Sequence, residues 1–121
     1  MTEYAIDLEY PDGSYSIGVA RRGSLIAARA YAIEILRNDR SVQNVWIGQS
    51  RGVHRGWVER NTIFPGYRYV WDTGFVKDEP KPLNPDGTVA RSYVITPEAM
   101  DYIRESTTFH GVYMGKRRFR A

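Results

Sequence analysis

Apolar and polar residues alternate from the start of the chain: Tyr4, Ile6, Leu8 and Tyr10 alternate with Glu3, Asp7 and Glu9, and Tyr15, Ile17 and Val19 repeat the pattern after Pro11-Asp12-Gly13. A period of two with a turn tripeptide between the runs predicts a β-hairpin with one wet face. The period then changes. Ser24 precedes LIAARAYAIEILR, which has no internal proline or glycine, so Ser24 is the expected N-cap of a helix over 25–38. At about 100° per residue, Leu25, Ala28, Ala32, Ile35 and Leu36 share one stripe, widened by Ile26 and Ile33, which fits a helix lying on a sheet. Arg29 falls inside that stripe and is expected to snorkel to the rim or to meet an acid.

Beyond Asn38-Asp39-Arg40-Ser41, QNVWIGQS predicts a third strand, and RGVHRG followed by WVER predicts a second hairpin with a glycine-bounded loop. Tyr67, Tyr69 and Trp71 alternate again, and Asp72-Thr73-Gly74 turns the chain toward a short FVK strand. Residues 78–88 hold three prolines and a second Pro-Asp-Gly turn and read as a long loop. Val89–Ile95 predicts a further strand, Thr96-Pro97-Glu98 opens a short helix over 97–106, and Phe109–Met114 is a candidate last strand. Together these elements predict an α+β fold: an antiparallel sheet of five to seven strands, the 25–38 helix packed on one face and the 97–106 helix near an edge. The chain of 121 residues reads as one globular domain over 1–121, with a basic tail over 115–121.

Composition narrows the chemistry. There is no cysteine, so disulfides, thiolate nucleophiles and cysteine-ligated metals are excluded. No apolar run approaches a membrane span and MTEYAIDLEY lacks the features of a secretory signal, which predicts a soluble, cytoplasmic protein. The histidines, His54 and His110, have no metal-ligand spacing, and no metal or cofactor is expected. His54, between Arg51 and Arg55, is read as a solvated loop residue. The tripeptide Asp72-Thr73-Gly74 behind Val70-Trp71 resembles the active-site turn of aspartic proteases. The match covers three residues, the second signature of that family has no counterpart, and the family is nearly all β. Turn chemistry is the preferred reading. No phosphate loop, dinucleotide fingerprint or nucleophile elbow is present, which weighs against an enzyme.

Charge supplies the remaining lead. The net charge is +3, and of the 17 basic residues all but Lys77, Lys81 and Lys116 are arginine. Arg21, Arg22 and Ser24 sit at the start of the main helix, where amides and the helix dipole favour an anion. Arg51, Arg55, Arg60 and Arg68 follow, and Lys116, Arg117, Arg118 and Arg120 close the chain. Trp57, Tyr67, Tyr69 and Phe119 are the aromatic contact candidates. Should these segments converge, they form a basic-aromatic binding surface. The expected function is a small, non-catalytic accessory protein of inhibitor or adaptor type, binding an acidic surface on a protein partner. The alternative is sequence-nonspecific nucleic-acid binding, since no reading helix or single-strand module is recognisable. An enzyme acting on a phosphate-containing substrate ranks third.

Overall fold

The computed structural model describes residues 3–49, 53–75 and 78–101. Its elements run β1 (Tyr4–Glu9), β2 (Tyr15–Arg22), α1 (Leu25–Asn38), β3 (Asn44–Gln49), β4 (Val53–Arg60), β5 (Tyr69–Asp72) and β6 (Lys81–Leu83). The strands form one antiparallel sheet in the order β2-β1-β3-β4-β5-β6, with α1 on one face and a short helical segment over residues 97–101. The α+β class and the strand number agree with the sequence pattern. No helix among the described residues is long and apolar enough to cross a membrane.

The main helix has the predicted bounds because its signals are local. The Ser24 hydroxyl accepts the Ala27 amide at 3.0 Å, and Arg37 lies in the last turn, where the helix dipole favours a cation. The helix buries Ala28, Ala32, Ile33 and Leu36 against Ile6, Val45, Ile47, Val58, Trp71 and Leu83 of the sheet. Ile26, expected to widen the stripe, is exposed, because it projects off the band of side chains that a flat sheet can cover. Arg29 neither snorkels nor meets an acid. It is 7% exposed, its Nε donates to the Gly87 carbonyl at 2.8 Å, and its guanidinium lies 5.2 Å from the centre of the Trp71 ring. Burial holds its pKa below the ordinary arginine value.

The second half departs from the sequence reading in four places. His54 and Arg55 belong to β4, which begins at Val53, so the predicted basic loop is shorter than RGVHRG. The proline-rich stretch 78–88 contains β6, a three-residue strand paired with β5 although it includes Pro82. Residues 89–95 form no named strand; Val89 makes an isolated bridge to Leu83. Phe75 is outside any strand, and Val76 and Lys77 of the expected FVK strand lie outside the described residues. So do the rest of the 97–106 helix, the Phe109–Met114 strand and the 115–121 tail.

A candidate anion-binding cleft

Along β1, β3, β4 and β5 alternate side chains point away from α1. The face opposite α1 carries Asp7, Glu9, Asn44, Trp46, His54, Trp57, Glu59 and Asp72. Its polar groups are bonded to one another. The Trp46 indole donates to Glu9 Oε1 at 2.7 Å, and the Trp57 indole to Glu59 Oε1 at 3.0 Å. His54 Nε2 lies 3.0 Å from Asp7 Oδ2, and its ring centre is 4.9 Å from that of Trp46. His54 is therefore an exposed strand residue paired with Asp7, and not a loop residue. Trp57 is 1% exposed and packs against Trp46, with the tilted rings 4.8 Å apart, so it offers no contact surface. The Asp72 carboxylate accepts the Gly74 amide at 2.8 Å, which is turn geometry. Among the described residues no group of three or more histidines and carboxylates is placed to hold a metal.

Among the described residues, two groups of basic side chains stand at the two ends of α1, while Arg55, Lys81 and Arg91 are exposed elsewhere. At the start of α1, Arg22 lies 4.1 Å over the Tyr31 ring and donates to the Arg21 carbonyl, while Ser24 caps the helix with its own oxygen. Those groups are largely engaged within the fold. Arg21 is exposed beside them, and Arg55 is exposed on β4 near an irregularity in its pairing with β3. Arg51, Lys116, Arg117, Arg118, Phe119 and Arg120 lie outside the described residues.

At the other end, about 20 Å away for a helix of this length, α1 and β4 finish side by side. Arg60, the last residue of β4, reaches under the helix end. Its guanidinium donates to the carbonyls of Val42 at 2.6 Å, Leu36 at 2.8 Å and Asp39 at 3.0 Å, satisfying acceptors that a helix terminus leaves open. Beside it the chain folds around Asn61, whose carboxamide accepts the Ile63 and Phe64 amides and donates to the Phe64 and Tyr67 carbonyls. That loop returns Tyr67, Arg68 and Tyr69 to the end of α1.

The result is a cleft of about 450 Å³ lined by Leu36, Arg37, Arg40, Arg60, Arg68 and Tyr69. Among the described residues Arg37, Arg40 and Arg68 have no carboxylate paired with them. The nearby Asp39 carboxylate is turned to the Ser41 hydroxyl and amide at 2.6 and 3.0 Å. These hydrogen bonds, and then the Arg60 charge, hold its pKa below the ordinary aspartate value. Four guanidinia around one concavity make a strongly positive local field, which favours an anion. Arg60, Arg68 and Tyr69 were legible as candidates. Arg37 and Arg40 were not, since in sequence they read as the ordinary polar side of a helix and its connecting turn. Comparison with protein-family models, with curated proteins and with solved structures gives no match.

Proposed function

We propose that this protein is a small binding protein that acts by occupancy, its arginine-lined cleft engaging an acidic surface of a protein partner in the manner of an inhibitor or adaptor. One observation carries the reading: Arg37, Arg40, Arg60 and Arg68, from two distant stretches of chain, line one cleft, and three of them have no paired acid among the described residues. Arginine and tyrosine are the residues that dominate protein interfaces, because a planar guanidinium grips carboxylates in pairs of hydrogen bonds and a tyrosine adds apolar area at low entropic cost. A nucleic-acid backbone would ask for a continuous track of cations along its phosphates. Here the Arg21 and Arg22 corner and the cleft are separated by the length of α1.

The test is a fluorescence-anisotropy titration with a short glutamate-rich peptide and with single- and double-stranded DNA and RNA, at about 50 and about 200 mM salt. The peptide is expected to bind, and Arg40→Glu with Arg68→Glu to weaken it at least tenfold, about 1.4 kcal/mol. Oligonucleotides bound more tightly than the peptide at both salt concentrations would replace this reading with nucleic-acid binding.

A further inference from the structure

The basic cleft is one half of a larger concavity. Across Arg37, Arg68 and Tyr69, which line both, a second chamber of about 640 Å³ opens between α1, the 61–68 loop and the turn after β6. Its floor and walls are Ile33, Leu83, Tyr67, Tyr69, Gly66 and Pro85. The volume is in the range of about 300–1,000 Å³ typical of ligand-binding clefts.

Two polar groups of this chamber are already used by the fold. The Tyr67 hydroxyl donates to the Ser92 carbonyl at 3.1 Å, and the Asn84 amide nitrogen donates to the Thr88 hydroxyl at 2.9 Å. What these walls present to an incoming group is mostly carbon, with Arg37 and Arg68 at the shared rim. A nucleobase placed there would set polar edge atoms against the side chains of Ile33 and Leu83, which offer no hydrogen bond in return, and that is costly. An aliphatic or indole side chain loses nothing of the kind. Exposed ion pairs contribute little by themselves, so a cleft of arginines alone would bind acidic surfaces weakly and without discrimination.

We propose that the occupant is a peptide segment of the partner in which a bulky apolar side chain is flanked by acidic residues. The apolar side chain fills the chamber between Ile33, Leu83 and Tyr67, and the flanking carboxylates reach Arg37, Arg68 and Arg40. The chamber sets selectivity and the arginines set attraction. This assignment rests on the acidic-partner reading above and specifies what that partner must carry.

The experiment uses the full chain and fluorescein-labelled peptides of identical flanking glutamates whose central residue is tryptophan, leucine or serine, with a single-stranded oligonucleotide as a further arm. The tryptophan and leucine peptides are expected to bind at least tenfold more tightly than the serine peptide and to shift the methyl NMR signals of Ile33 and Leu83. Arg37→Glu with Arg68→Glu is expected to weaken all three, with an unchanged circular dichroism spectrum showing that the variant folds. Equal affinity for all three peptides, still lost in the double variant, overturns the apolar-anchor assignment and leaves the acidic-partner reading standing. Failure of every peptide to bind at low salt overturns both. Shifts of the same methyl signals by the oligonucleotide, without any by the peptides, assign the chamber to nucleic acid instead.

Discussion

Three aspartates of this protein are used in the same way. Asp12, Asp39 and Asp86 each accept both the amide and the hydroxyl of the serine or threonine two positions on, with hydroxyl distances of 2.6 Å at Ser14, Ser41 and Thr88. Hydrogen bonding to the charged form holds all three carboxyls below their ordinary pKa. A carboxyl whose pKa is lower folded than unfolded adds stability above the unfolded value, near 3.9, and loses it as pH falls through the folded value. Thermal melts across about pH 5 to about pH 2 are therefore expected to fall less steeply in the triple Asp→Asn variant than in the parent. The Pro-Asp-Gly turns at Asp12 and Asp86 were legible because their signals are neighbours in sequence, whereas the Asp39 turn was read only as a connection. The setting of Arg29 was not legible, since its partner is a backbone carbonyl 58 residues away, which no residue type announces. In urea denaturation Arg29→Ala is expected to cost about 2 kcal/mol through lost packing under Trp71. Arg29→Met, which keeps the stem, is expected to cost clearly less.

Elements were readable to the degree that their causes were local. The bounds of α1 follow from a cap and an uninterrupted period, both visible in a short window. The three residues of β6 show no alternation and contain a proline, so their strand identity comes from tertiary fit. That fit has a centre at Gly87, in the turn after β6, where φ is +90° and the backbone lies against α1. A Cβ there would stand 2.7 Å from the Ala30 amide nitrogen and closer still to the Ile26 carbonyl oxygen. Gly87→Ala thus adds a clash with helix backbone to an unfavourable dihedral. It is expected to destabilise the protein by about 3 kcal/mol and to raise hydrogen exchange in β6. An unchanged melting temperature would mean that the turn can withdraw from the helix at little cost. The same logic explains the His54 reading: a glycine-bounded basic hexapeptide has loop composition, yet pairing with β3 and Asp7 across the sheet extends the strand.

At the scale of the whole fold, the arginines at the two ends of α1 stand about 20 Å apart among the described residues. Charge reversal at the cleft is expected to abolish the salt-dependent part of acidic-peptide binding. Arg21→Glu, at the far end of α1, is expected to leave it within about twofold, because the separation of about 20 Å exceeds the screening length at physiological salt. The anisotropy titration decides this. Which arginines cooperate could not be read from their order, since Arg37 and Arg68 meet only once β4 and β5 are laid beside the helix. A last consequence concerns the opposite margin of the sheet. β2 is an edge strand with Ile17 73% exposed, yet its ladder with β1 breaks between Ile6 and Leu8. There Gly18 turns to a φ of +64° and gives its amide to Asp7 Oδ1 at 2.7 Å. An interrupted border is a poor template for another chain to zip onto. Concentrated Asp7→Ala protein, with that bond to Gly18 removed, is therefore expected to scatter light and bind thioflavin on standing, while the parent stays clear.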